Sequence, residues 1–247
     1  QLLSSLYMVM LAKKRGLVAS ILLNLAAALL AFFLVISRNH YLLIPCIGIN
    51  LVAMLICFLV YYQMQVINGN VAKLHDLAYT DMLTGIGNRN AYIDMTKRLD
   101  AEISASTAEN PTDFSVAIFD INGLKQINDS LGHEYGDFVI TSVSEILKES
   151  VHSKKIYRIG GDEFVVILEH STDNDISKIF RDIEQKIEQK NSCRKEKEPE
   201  IAVSKGFSTY QFGKDADLKD IFRRADNAMY ADKADYYSHH ADRRRKN

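Results

Sequence analysis

Two stretches of the chain, residues 17–37 and 41–61, contain no Asp, Glu, Lys or Arg, and only Arg38-Asn39-His40 separates them. As helices, at about 1.5 Å of rise per residue, each is long enough to cross a hydrocarbon core of about 30 Å. The pair therefore predicts a transmembrane helical hairpin. Neither run reads as a cleavable signal peptide, which would be shorter and end at a small-residue cleavage site. The competing reading is two buried helices of a soluble protein, but uncharged runs of this length are rare there. Lys13-Lys14-Arg15 precede the first run. The positive-inside tendency places them in the cytoplasm, so two crossings return the chain to the cytoplasm near Gln63. Asn24 and Asn50 are polar groups able to bond across a helix pair. The opening run Leu2 to Leu11 is also largely apolar and reads as the end of a further membrane helix, at about 1–12.

The composition of the whole chain excludes some classes. A net charge of −1 argues against a dedicated nucleic-acid binder. Three cysteines make no disulfide framework and read as reduced thiols, as suits a protein facing the cytosol. His239-His240 offers two ligands without a third, a poor metal site.

Beyond the apolar runs, Met64, Ile67, Val71, Leu74 and Ala78 recur at alternating spacings of three and four. This a/d pattern lasts about two heptads, short of a firm coiled coil. Residues 63–80 read either as a parallel helical stalk or as an amphipathic helix packed on its own domain. Gly69 is expected to loosen it.

From about Asp81 to the end, helices and strands alternate. Helices are expected at Asn88–Ser104, Gly132–Ser150, Asn174–Lys190 and Leu218–Tyr237. Strands are expected at Phe114–Phe119, Ile156–Ile159, Asp162–Leu168 and Ile201–Phe207. The alternation predicts an α/β or α+β domain with helices against one sheet. Its most informative stretch is Gly160-Gly161-Asp162-Glu163-Phe164, after Arg158-Ile159. Two glycines close a tight hairpin and leave room for a phosphate near the backbone. The acids Asp162 and Glu163 then face that phosphate across a hard divalent cation, which prefers oxygen ligands. The apolar run Phe164 to Leu168 anchors the turn on a buried strand. Lys205 lies among Ile201, Val203 and Phe207 and is expected to snorkel to the surface.

Five motifs in order resemble the GGDEF diguanylate cyclases, over about Asp81 to Tyr237. They are Asp81 to Arg89 (DMLTGIGNR), Phe119 to Asp129 (FDINGLKQIND), Gly132 to Asp137 (GHEYGD), the hairpin itself, and Ala225 to Lys233 (ADNAMYADK). The resemblance implies a palm-like, ferredoxin- or nucleotide-cyclase-like α+β sheet with flanking helices. It implies condensation of two GTP into cyclic di-GMP and two pyrophosphates by two domains facing each other as a homodimer. By the same resemblance Asp120, the Ile121 carbonyl, Asp162 and Glu163 hold two Mg²⁺ or Mn²⁺ per active site. These ions would offset triphosphate charge and lower the pKa of the attacking hydroxyl. Asp162, Glu163 and Lys125 are the catalytic candidates. Which acid takes the proton stays open, although the family points to Asp162. Gly160, Gly161, Asn128, Asp137 and Lys233 are the substrate-binding candidates. Lysines 125 and 233 neutralise phosphate as point charges. Asn128 and Asp137 match the guanine-reading positions, and a buried Asp137 carboxylate left unpaired would discriminate against ATP.

The chain departs from the family pattern in two places. The family's inhibitory product site is Arg-x-x-Asp, where this chain has Val151-His152-Ser153-Lys154. Neither charged partner is present, so feedback through that site is not expected. A Gly-Arg-Asn commonly follows the family's last lysine. Here the residues are Tyr236-Tyr237-Ser238, which removes one phosphate contact, and Arg243-Arg244-Arg245 reads as a solvated tail. The expected organisation is a membrane segment at 1–62, a linker at 63–80 and a catalytic domain at 81–247, on the cytoplasmic side of the inner membrane. Its rivals are a silent GTP-binding module, an enzyme making mixed cyclic dinucleotides, and a membrane scaffold. Asp137 argues against the second, and the acidic constellation against the third.

Overall fold

The computed structural model describes residues 43–109, 111–151 and 155–245, with helical residues at 18, 19, 21, 22, 24–27, 29, 30, 32 and 33. The expected helix end at 1–12, the basic triplet before the first run, the loop between the runs and residues 152–154 lie outside these. The chain divides into two compact units between His75 and Asp76.

In the first unit, helix α1 (Leu43–Tyr79) begins and runs unbroken through Gly48 and Gly69. Gly69 does not interrupt the helix; a single glycine costs only about 1 kcal/mol there. Its portion Ile47–Tyr79 is the one helix, among the described residues, long and apolar enough to cross a membrane by length and composition. The small residues Ala53 and Cys57, one turn apart, are buried, whereas Ile49, Leu51, Val52, Leu55 and Phe58 are exposed.

The second unit is a four-stranded antiparallel sheet flanked by helices. Its elements are α2 (Arg89–Ala105), β1 (Phe114–Ile121), α3 (Leu124–Leu131), α4 (His133–Ser150), β2 (Ile156–Arg158), β3 (Glu163–Glu169), α5 (Asp173–Ser192), β4 (Val203–Thr209) and α6 (Leu218–Arg245). The sheet order is β2-β3-β1-β4. Central β1 is buried at every position, and its side chains alternate between two cores. Ala117, Phe119 and Ile121 join Val139, Val143 and Leu147 of α4 and Ile176 and Ile183 of α5. Phe114, Val116 and Ile118 join Leu99 and Ile103 of α2 and Leu218, Ile221, Ala225 and Met229 of α6. A strand buried on both faces reads as an unbroken apolar run, as Phe114 to Phe119 does.

Three elements differ from expectation. Strand β4 starts at Val203, because the Asn191 side chain takes both backbone groups of Ile201: its Oδ1 accepts from Ile201 N at 2.9 Å and its Nδ2 donates to Ile201 O at 2.8 Å. Helix α3 was not expected. It is one short stretch between Gly123 and Gly132, whose φ angles of 72° and 97° bend the chain at both ends. Helix α6 continues past Tyr237 to Arg245, since no glycine follows Lys233 to stop it.

Candidate active site

The alternation that builds the α6-side core also places the acids. Asp120 continues the row Phe114, Val116, Ile118 on β1, and register pairs it with Glu163 on β3. Directly paired residues share a face, so both carboxylates lie at the end of the sheet face that α6 covers. The Ile121 N–H donates to Asp162 O at 3.0 Å, tying the hairpin tip to the end of β1. Asp120 is only 5% exposed.

Helix α6 supplies the cation. Lys233 Nζ stands 2.6 Å from Asp120 Oδ1. The helix comes this close because of Gly206, the β4 partner of Ile118. A Cβ built on Gly206 would lie 2.2 Å from Met229 N and 2.4 Å from Ala225 O. A second tie is the Lys205 N–H, which donates to Asp232 Oδ2 at 3.0 Å. The Lys205 side chain reaches the surface as expected and ends on Glu184, at 2.6 Å.

Negative charge exceeds positive here. Burial pushes the Asp120 carboxyl up, Lys233 pulls it part of the way back, and Asp162 and Asp226 push it further. Burial raises Glu163 too, reinforced by Asp162, Asp120 and Asp226. For Lys233, burial works to lower the pKa, but the Asp120 contact outweighs it and the ammonium is held above its ordinary value.

The hairpin is braced from behind. Arg158 Nη2 donates to Gly161 O at 2.8 Å, and its Nη1 donates to both carboxylate oxygens of Asp81 at 3.3 Å. Asp81 also accepts from Thr84 N and Oγ1, at 3.0 and 2.6 Å. Burial opposes its charge, yet Thr84 and Arg158 together hold its pKa below the usual carboxylate value. Next to this brace, Gly87 N donates to Ile156 O at 3.0 Å, and Arg158 N donates to Gly87 O at 2.8 Å. The segment following α1 is thus stitched to the strand that carries the hairpin. At the tip, a Cβ on Gly160 would meet Glu163 Oε2 at 2.8 Å, while nothing lies within 4 Å of one on Gly161. Gly160 makes room for the Glu163 carboxylate, and Gly161 leaves open space for a ligand.

Asn128 lies on α3 and Asp137 on α4. A Cβ on Gly136 would fall 1.9 Å from Asn128 Oδ1, so the glycine before Asp137 is what lets the Asn128 side chain lie against α4. The carboxylate expected to be buried is exposed, because Asp137 lies in the outer part of α4. Lys125 is exposed on the first turn of α3.

The structure therefore joins Asp120, Ile121, Asp162, Glu163 and Lys233 in one group, and sets Asn128 against Gly136, the residue before Asp137. Among the described residues, no group of three or more His, Cys, Asp or Glu stands in metal-holding geometry. The donor chemistry nonetheless fits a hard divalent cation: the acids raise one another's pKa, and the one cation among them already sits on an Asp120 oxygen. Two contributors had no assigned role in the sequence. Asp226, two helical turns before Lys233, adds to the negative field. Asp81 stands in the opening motif, but its partner Arg158 could not be known without the β2 register.

The architecture is an antiparallel sheet with an acidic hairpin at its end and a lysine from the closing helix. The family model described as "Diguanylate cyclase, GGDEF domain" matches residues 78–238, and the chain belongs to this family. It is 32% identical to diguanylate cyclase DosC of Shigella sonnei over 61% of this chain and 32% of that protein. The chain thus spans about a third of the length of that curated relative. It is 26% identical to an uncharacterised membrane protein, SERP0413 of Staphylococcus epidermidis, over 90% of this chain and 63% of that one. The crystal structure of the coiled coil and GGDEF domain of DgcB from Caulobacter crescentus, in complex with c-di-GMP, superposes with a TM-score of 0.62. That match has 26% identity and covers 70% of this chain and 90% of the other.

Proposed function

We propose that this chain is a membrane-anchored diguanylate cyclase that joins two GTP molecules into cyclic di-GMP with release of two pyrophosphates. The register of Asp120 against Glu163, with Asp162 tied to the end of β1, carries this reading. Asp120, the Ile121 carbonyl, Asp162 and Glu163 would hold Mg²⁺ or Mn²⁺. Such an ion acidifies a bound hydroxyl and offsets charge on the phosphates. Gly161 admits the triphosphate, Lys125 and Lys233 neutralise it, and Asn128 with Asp137 reads the guanine edge. Asp162 accepts the proton of the 3′-hydroxyl, with Glu163 beside it. Each domain carries one GTP, so two chains face each other and each hydroxyl attacks the partner's α-phosphate.

The organisation that accompanies this reading is a membrane segment at 1–62, a helical linker at 63–80 and a catalytic domain at 81–247, at the inner membrane with the catalytic domain in the cytoplasm. The exposed apolar surface of α1 supports it, as does similarity over most of this chain to a protein named as a membrane protein. A second reading, a silent GTP-binding module, is favoured by Tyr237, which stands where the family has an arginine. Product analysis of the whole chain in nanodiscs with GTP and Mg²⁺ separates the two. Cyclic di-GMP from the wild type, lost in Asp162→Ala, supports the cyclase. GTP binding without product in dimeric preparations supports the silent module, and turnover by Asp162→Ala refutes the metal-site assignment.

A further inference from the structure

Lys233 occupies a carboxylate oxygen that a divalent cation would need. Its Nζ is 2.6 Å from Asp120 Oδ1; the Asp120 side chain is 7% exposed and that of Lys233 29%. The contact joins α6 to β1 across 113 positions of sequence, so tertiary packing holds it. At Gly206 that packing leaves no room for a Cβ. Two cations on one buried oxygen repel strongly, because little solvent screens them. Lysine is also the cation best suited to leaving. Its four-carbon stem lets the ammonium swing several ångströms while α6 stays in place. A triphosphate entering over Gly161 offers that ammonium more negative charge than Asp120 does.

We propose that Lys233 is a resident counter-ion that competes with the divalent cation for Asp120, and that an arriving triphosphate draws it off and so couples metal binding to nucleotide binding. This rests on the cyclase reading for the identity of the nucleotide alone. With the lysine on Asp120, the acids keep a partial counter-charge and hold free metal weakly. With the lysine on phosphate, Asp120 is open and the metal binds together with the nucleotide. Linkage makes the effect mutual, so metal must tighten the nucleotide by the factor through which the nucleotide tightens the metal. Once pyrophosphate departs, the lysine returns and favours metal release.

The test is a Mn²⁺ titration of the full chain in nanodiscs, following free Mn²⁺ by electron paramagnetic resonance. It is run without nucleotide and with an unreactive α,β-methylene analogue of GTP. Without nucleotide, Lys233→Met should bind Mn²⁺ roughly tenfold more tightly than wild type, since the competing unit charge is gone. Lys233→Gln, which keeps a polar tip, provides a second variant should the first fold poorly. Lys219→Met removes an equal charge from an exposed position at the start of α6 and should leave nucleotide-free affinity nearly unchanged. The Lys233→Met gain should vanish in an Asp120→Asn background, and the analogue should tighten Mn²⁺ more in wild type than in Lys233→Met. Unchanged affinity in both Lys233 variants, equal tightening by Lys219→Met, or equal coupling in wild type and variant would each overturn the proposal. Product assays on the same preparations keep the questions apart, because the metal competition can hold in a chain that makes no cyclic di-GMP.

Discussion

At the scale of single residues, the hairpin glycines do different work although the sequence presents them as a pair. Gly160 stands under the Glu163 carboxylate, whereas Gly161 faces open space. Gly160→Ala must therefore move Glu163, while Gly161→Ala meets no protein atom and obstructs only a ligand. We expect Gly160→Ala to lower kcat by about ten- to a hundredfold, the usual range for one misplaced acid–base group, with nucleotide affinity within a fewfold of wild type. Gly161→Ala should weaken nucleotide binding instead. Steady-state kinetics beside equilibrium GTP binding checks both, and a matching loss of affinity in the two variants would refute the distinction. Charge shows the same dependence on surroundings at Asp215. Its carboxylate accepts from Arg224 Nη2 at 2.9 Å and from Gln211 N at 2.7 Å. Burial alone would raise its pKa, but Arg224 and the Gln211 N–H outweigh burial, and the folded value lies below 3.8. A depressed carboxylate pKa stabilises the fold above the unfolded value, and that stability is lost as pH falls through the folded value. Asp215→Asn should cost roughly 2 kcal/mol at neutral pH by removing the charge from the hydrogen bonds with Arg224, which keeps Ser208 Oγ and Thr209 O, and should flatten the loss of stability on acidification below about pH 4. Urea midpoints followed by near-ultraviolet circular dichroism across that range are the check.

At the scale of elements, Gly206 decides how close α6 comes to the sheet. The added Cβ of Gly206→Ala would collide with backbone atoms of Met229 and Ala225, which cannot rotate away. The helix must lift, and overpacking of this kind costs typically about 1–3 kcal/mol. Lys233, further along the same helix, would then lose its register with Asp120. We expect a lower melting temperature together with a larger loss of turnover than of fold, and the double variant Gly206→Ala/Lys233→Met should be little less active than either single one. Strict additivity of the two effects on activity would show that Gly206 does not act through the lysine. The strands and long helices were legible because apolar runs and periodicity report burial directly. Asp120, Asp162, Glu163, Asn128, Asp137 and Lys233 were legible as motif positions. Features set by non-local contacts were not. The Asn191 clamp that shortens β4, the Arg158–Asp81 brace and the seat of α6 on Gly206 each depend on partners far along the chain. The Lys233–Asp120 pair belongs with them, since a sequence shows two charged residues and not which one neutralises the other.

At the scale of the whole molecule, the proposed reaction needs two catalytic domains, and the exposed residues of α1 are where pairing can be controlled. Ile67, Val71 and Leu74 lie at a/d spacing and are each more than half exposed. One such stripe is too short for a stable coiled coil in isolation. The proposed anchoring in a bilayer would change the balance, because confinement raises the effective concentration of one stalk near another and a weak contact then suffices. A charge placed in the stripe should therefore act on pairing without touching the acid group. We expect Leu74→Lys to reduce cyclic di-GMP production per chain by tenfold or more, while GTP binding per chain stays at the wild-type value. Crowding more chains into each vesicle should recover part of the loss, since mass action opposes the weakened contact. If Leu74→Lys turned over at the wild-type rate when chains are sparse, the stripe would be an amphipathic face of the single chain, and pairing would have to reside in the domains themselves.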